Sequence, residues 1–171
     1  MHRYKEHPTL TSTLVDGHLV PAPDSLDADV TVWFGLPAEG NSPRTWEGLV
    51  GKRLVDKDTV EIRAIPMFAY DLNYGDEVAV MTSAEGSLVA TGMARDGGNY
   101  TFRVWLDHGD ADEMREVITK FAGMGCLVEA YSAKLVALSC PMDAAQDVAD
   151  ALRSGEVEGR FVYETGRQRT R

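Results

Sequence analysis

The sequence predicts an α+β chain, with a small antiparallel β-barrel-like part followed by a part ordered strand-helix-strand-strand-helix-strand. Up to about Asn99, apolar residues come in short β-branched and aromatic runs broken by Gly, Pro, Asn and Asp, the pattern of strands and tight turns. After residue 100 the apolar period switches between alternation and the i, i+3, i+4, i+7 spacing of helices. The length of 171 residues allows one ordinary domain or two small ones, and a hydrophobic share of 44% supplies a core.

Residues 1–27 read as a flexible or extended N-terminal arm, with Pro8, Pro21 and Pro23 and only a brief apolar patch around Leu14-Val15 and Leu19-Val20. Asp16-Gly17 between those pairs suits a tight hairpin turn. Residues 28–100 form the barrel-like part. Val30–Phe34 is β-branched and aromatic and stops at Gly35 and Pro37. Trp46–Val55 and Thr59–Ile65 alternate apolar and polar residues around an Asp56-Lys57-Asp58 turn. Val78–Met81 and Leu88–Ala90 follow, and Asp96-Gly97-Gly98-Asn99 is the strongest turn signal in the chain. Five or so short strands in this span point to a small barrel or curled sheet.

Residues 101–165 form the second part. Phe102, Val104 and Leu106 alternate with Arg103 and Trp105. A helix starts at Asp110 with Glu113 three residues on, and its stripe is Met114, Val117, Ile118 and Phe121 before Gly123 and Gly125. Leu127–Tyr131 and Lys134–Ser139 are the next strands. Pro141 and Asp143 open a second helix, striped by Ala145, Val148, Ala149 and Leu152 and stopped at Gly155, and Arg160–Glu164 closes the order. This βαββαβ order is that of a ferredoxin-like part. Residues 166–171 form a basic C-terminal tail.

Several segments carry a resemblance. Trp46-Glu47-Gly48-Leu49, Ile65-Pro66-Met67-Phe68-Ala69, Tyr74-Gly75-Asp76-Glu77-Val78, Tyr100–Leu106 and Gly159-Arg160-Phe161-Val162-Tyr163-Glu164 resemble, in combination and order, a bacterial family, domain of unknown function 4265. The likeness spans about residues 28–165. It implies a β-rich first part and a ferredoxin-like second part, and it carries over no catalytic residues.

Bulk charge narrows the functional classes. Seventeen Lys and Arg face 27 Asp and Glu, a net charge of −10. A field of that sign repels phosphate backbones, and only the short tail is basic, so no nucleic-acid partner is expected. No apolar run reaches the roughly 18 residues of a membrane span, and the N-terminal stretch holds no continuous apolar segment. The sequence therefore predicts a cytoplasmic protein with no membrane partner. Cys126 and Cys140 make no ligand or disulfide framework and read as small buried side chains, although a hairpin of Leu127–Tyr131 and Lys134–Ser139 around Ser132-Ala133 would bring them close across adjacent strands and leave pairing open.

Three of the four histidines, His2, His7 and His18, fall in the arm. The fourth, His108, sits in a polar turn before a helix, and no nucleophile-base arrangement is legible around it. The acidic run Asp107, Asp110, Asp112, Glu113 and Glu116 fails the EF-hand spacing and suits the positive end of a helix, so neither a metal nor a cofactor is expected. Gly123-Met124-Gly125 follows a helix, the wrong context for a phosphate cradle.

The sheet face opposite the helices is the candidate site. Arg103 and Trp105 point to it by parity, Tyr131 joins them, and Arg160 follows if Phe161 and Tyr163 are buried. The expectation is that the barrel packs here and buries Trp105, the alternative being a partner-binding face. The third strand of this part has no aromatic residue, which excludes an RNA-recognition sheet. Asp112 and Glu116 are the candidate acidic contacts. The expected function is a non-catalytic acidic protein-binding module, of the immunity-protein, antitoxin or inhibitor kind, with a basic protein partner. The alternative is a small-ligand-binding or enzymatic protein with a pocket between the two parts.

Overall fold

In the computed structural model the described residues are 2–38, 40–55 and 58–167. Asp56 and Lys57 of the expected hairpin turn, and most of the basic tail, lie outside them. The chain opens with β1 (Arg3–Glu6), β2 (Ser12–Val15), β3 (His18–Pro21) and a single helical turn, α1 (Pro23–Leu26). Asp16 and Gly17 take φ of 49° and 77°, the left-handed pair that a two-residue hairpin loop requires. The arm is built into both sheets rather than free. β1 runs parallel to the strand that begins at Thr45, and Tyr4 meets the Trp33 ring edge-on at 5.2 Å. β2 pairs through Ser12 with Val128 of the second sheet. Proline content marked this segment as irregular, but its alternate residues still supply ladder groups and apolar contacts.

The barrel consists of β4 (Val30–Gly35), β5 (Thr45–Arg53), β6 (Thr59–Ile62), β7 (Glu77–Thr82) and β8 (Leu88–Arg95). Neighbours pair antiparallel from β4 through β8, and β8 closes on β4 in parallel. A meander with an odd number of strands has to close that way. Val32, Leu49, Val60, Ile62 and Val78 fill the interior, with Ala64, Ala69 and Leu72 beneath them. The alternation in sequence runs to Ile65, yet β6 ends at Ile62. Residues 63–74 leave the barrel and lie against the second sheet, where their backbone N–H groups find side-chain acceptors.

That second sheet has the order β12-β9-β11-β10-β2-β3, antiparallel throughout. Its new strands are β9 (Asn99–Trp105), β10 (Leu127–Ala130), β11 (Leu135–Pro141) and β12 (Val162–Thr165). α2 (Ala111–Gly123) and α3 (Ala145–Val157) cover one face. Asp110 caps α2 by accepting the Asp112 N–H at 2.8 Å. Phe102, Val104 and Leu106 point to the helices, as their parity requires, and pack with Val117, Phe121, Val148, Leu152 and Phe161. The opposite face packs Leu135 and Ala137 against Ile65, Met67 and Tyr74 of the segment leaving the barrel. Cys126 and Cys140 are buried among the helix-side residues as free thiols.

Gly155 does not stop the second helix. It lies inside α3, where a Cβ would sit 2.4 Å from Cζ of Phe161, so this glycine serves close approach. The stop falls at Gly159, with φ of 72°. A 3-10 turn, Met142–Ala144, precedes α3, which is why its regular part begins after Asp143.

Candidate functional site

The six residues singled out in the sequence fall into two groups. Arg103, Trp105 and Tyr131 lie on the sheet face opposite the helices. Cross-strand register places Leu135, Trp105 and Val162 side by side on β11, β9 and β12, and Tyr131 donates its backbone N–H to Leu135 at 2.9 Å. One row of the pleat thus reads Tyr131, Leu135, Trp105, Val162. The next row, one pleat closer to the barrel, reads Glu129, Ala137, Arg103, Glu164.

The segment leaving the barrel covers Glu129, Ala137 and Arg103 of the second row and Tyr131 and Leu135 of the first, and stops short of Trp105 and Val162. Arg103 is 3% exposed. Its Nε donates to the Pro66 carbonyl at 3.1 Å, one terminal nitrogen donates to the Ala69 carbonyl, and the other meets Glu164 at 2.9 Å. The guanidinium also lies over the Tyr70 ring, 4.7 Å from its centroid, and the Tyr70 hydroxyl donates to Glu164. Trp105, two residues on, remains 44% exposed beside Val162 at 50%. The expectation that the barrel buries this indole is therefore corrected. Arg103 and Glu129 anchor the covering segment one pleat row too early to reach it. Trp105, Val162 and Leu135 instead border a groove of about 260 Å³, with the Arg103–Glu164 pair as its polar wall.

Arg160, Asp112 and Glu116 lie on the helix side. Arg160 precedes β12, in the turn after α3, so strand parity does not govern it. Its guanidinium meets Glu116 at 2.8 Å, and Asp112 pairs with Arg115 at 2.8 Å. Glu116 and Arg160 share the walls of a polar cleft of about 420 Å³ with His108 and Glu113. These contacts satisfy the charges within the chain and place none of them beside Trp105.

The residues that sequence reasoning missed lie where the parts join. The His7 side chain is buried between two carboxylates. Its Nε2 donates to Glu47 of β5 at 2.8 Å, and its Nδ1 donates to Glu129 of β10. Glu47 also accepts the backbone N–H groups of Met67 at 2.6 Å, Phe68 at 3.1 Å and Ala69 at 2.7 Å. Glu129 accepts the Ile65 N–H at 2.8 Å and the Thr11 hydroxyl at 2.7 Å. Burial pushes the His7 pKa down, but the hydrogen bonds and charges of Glu129 and Glu47 outweigh it and raise it to about 9. Burial pushes Glu47 up, and His7 with the backbone donors holds it below the usual carboxylate range. The cluster holds the His7 ring between two buried carboxylates, and it clamps the arm, the barrel and the second sheet at one point.

A signal for the cluster did exist in the sequence. Glu47 falls in phase with Leu49, an inward position of the barrel. Its acceptors serve residues of the Ile65–Ala69 segment, so two of the segments that carried the family resemblance meet here in space. Among the described residues, no group of three or more His, Cys, Asp and Glu side chains is arranged to hold a metal ion, and no helix is long and apolar enough to cross a membrane.

No curated protein matches this chain. Among solved structures, a chain described as a hypothetical protein from Neisseria gonorrhoeae is similar at 19% identity and a TM-score of 0.65. The match covers 83% of this chain and 96% of that one. It shares the fold. The model of the family described as Domain of unknown function (DUF4265) matches residues 47–163, from the clamp carboxylate Glu47 to Tyr163 of β12, and on that match the chain belongs to this family.

Proposed function

We propose that this chain is a non-catalytic, acidic protein-binding module that works in the cytoplasm on a basic protein partner, as an immunity protein, antitoxin or inhibitor does. The observation that carries this reading is the row Tyr131, Leu135, Trp105, Val162, with its half-exposed indole next to an exposed valine. Trp and Tyr dominate binding hot spots because they offer large rigid contact areas with few rotamers to lose. A net charge of −10 suits a basic partner and disfavours nucleic acid. The β12-β9-β11-β10 order, with both helices on one face, supports a ferredoxin-like reading of residues 101–165. In that reading one sheet face is divided between the barrel and the partner. A ligand pocket between the two parts has less support, because Ile65, Met67, Tyr74, Leu135 and Ala137 fill that interface.

The test compares wild type with Trp105→Ala and Val162→Asp, each first shown to be folded. Proteins captured by wild type and lost by both variants are identified, and the leading one is purified for titration. The expected result is an affinity loss of about 30-fold or more, as for hot-spot truncation, with an on-rate that falls as salt rises. Equal affinity for all three proteins overturns the proposal.

A further inference from the structure

The barrel seam is shorter than its strands. β4 and β8 pair only at Val32 with Leu88 and Trp33 with Val89, although β4 runs on to Gly35 and β8 to Arg95. The neighbouring ladders fix where the remaining backbone groups point. Leu36 donates its N–H to Thr45 at 2.9 Å, so Phe34 and Leu36 turn towards β5 and Gly35 turns its N–H and carbonyl towards the seam. Across the gap, Val80 donates to Asp58 at 3.1 Å, so Val80 looks to β6 and Met81 to β8. Val89, opposite Met81, therefore looks back at β7, and Ala90 faces the seam. A fully laddered barrel would join the Gly35 N–H to the Ala90 carbonyl, and the seam register contains no such pair.

Between these edges lies a cleft of about 350 Å³. Phe34, Leu36, Leu72, Val78, Ala90 and Met93 line it, and because Leu72 and Val78 belong to the barrel core, the opening reaches the interior. Gly92 also lines it, and a Cβ there would meet nothing within 4 Å. Among the described residues Asp71 is the one charged residue on the walls, in a chain of net charge −10.

We infer that this cleft is a binding site for an extended peptide, taken up as an extra strand between β4 and β8, with one bulky apolar side chain seated over Val78 and Leu72 and basic residues at its flanks. The Gly35 N–H and carbonyl on one edge and the Ala90 carbonyl on the other face the gap, and a peptide backbone can pair with such groups, which is how a sheet edge recruits an added strand. The apolar floor supplies the side-chain pocket, and the acidic field favours the basic flanks. The site is separate from the Trp105 row. Tyr70 borders the cleft, and its hydroxyl bonds Glu164 on the wall of the Trp105 groove, so this tyrosine divides the two surfaces.

The test uses the full chain and a combinatorial library of nine-residue peptides with Leu, Phe or Val at the centre and Lys at both ends. The best peptide is labelled and titrated by fluorescence anisotropy. It is also made N-methylated at alternate residues in each of the two phases. A strand ladder predicts at least a tenfold loss of affinity for one phase of methylation and less than twofold for the other. Gly92→Leu, which adds bulk on the wall of the cleft at a position with open space, should weaken binding tenfold or more, while Trp105→Ala leaves it unchanged. Three outcomes overturn the inference: no library member binds more tightly than millimolar, both methylation phases bind alike, or Trp105→Ala abolishes binding while Gly92→Leu does not. The last would send the peptide to the Trp105 groove and leave the protein-binding proposal standing.

Discussion

Replacing Glu47 by Gln should destabilise the protein by about 2–4 kcal/mol, a figure set by what the carboxylate holds. Glu47 accepts three backbone N–H groups and one imidazolium N–H in a buried site. The amide keeps the shape and one acceptor oxygen, but its NH2 group must face at least one of those donors. An unsatisfied buried donor costs about 1–3 kcal/mol, and removing one partner from a buried ion pair costs about 3–5 kcal/mol before relaxation. In a chain of this length each 1 kcal/mol moves Tm by roughly 2–4 °C, so a drop of roughly 5–15 °C is expected. Urea unfolding at pH 6.5 measures it, with an unchanged m-value showing that the same surface is exposed. The pH dependence follows from the same site. His7 has its pKa raised to about 9 from 6.5. Its contribution, about 3 kcal/mol, is fully present below pH 6.5 and lost as pH rises through about 9. Glu47 has its pKa lowered, so its contribution is present above the ordinary carboxylate range and lost as pH falls through its depressed value. The urea midpoint of wild type should therefore fall between pH 6.5 and 9.5, and that of His7→Gln should change much less. A Glu47→Gln protein within about 0.5 kcal/mol of wild type, or parallel pH profiles for wild type and His7→Gln, would refute the clamp.

Other substitutions read out other joints. Trp105→Ala should cost about 1–2 kcal/mol in urea unfolding, below the roughly 3–5 kcal/mol typical of a fully buried Trp, because its indole is half exposed. Gly155→Ala should destabilise by about 1–3 kcal/mol by thermal unfolding, despite alanine's better helix propensity, since its methyl would collide with the Phe161 ring. Arg103→Lys should cost about 2–4 kcal/mol, because an ammonium cannot reproduce the fork that reaches Pro66, Ala69 and Glu164 together. Circular dichroism melting would detect it.

What was legible in the sequence was whatever local period and turn chemistry determine. The strands at Val30–Gly35 and Thr45–Arg53, the two helices and the Asp16-Gly17 turn all carry their own signals within a few residues. Parity also put Arg103 and Trp105 on one face. It could not say how far the barrel's cover would extend along that face, because that depends on where residues 63–74 are anchored. Arg160 was misplaced for a related reason, since strand alternation was carried back past the start of β12 at Val162. Gly155 showed the same limit, because a glycine required by a distant ring reads like a helix stop. The clamp was hidden most deeply. His7, Glu47 and Glu129 are distant in sequence, and each alone reads as an ordinary surface residue of an arm or a strand. Glu47, in phase with the buried Leu49, and Glu129, between Val128 and Ala130 on a buried strand, both break the rule that core positions are apolar.

His7 and Glu129 stand 122 positions apart, and Thr11 and Glu129 stand 118 apart. Contacts of such span are slow to form, since most of the chain must be gathered before they reward the entropy of closure. During synthesis the arm is made early, yet its acceptor on β10 follows more than a hundred residues later. At the usual pace of translation, roughly 5–20 residues per second, the histidine waits roughly 6–24 seconds for its second carboxylate. The barrel can assemble first, with His7 already against Glu47, and closure onto Glu129 then comes as a late event that commits both parts together. Removing Thr11 and His7 from that final contact should slow folding little and speed unfolding more, so the clamp would act chiefly as a brake on opening.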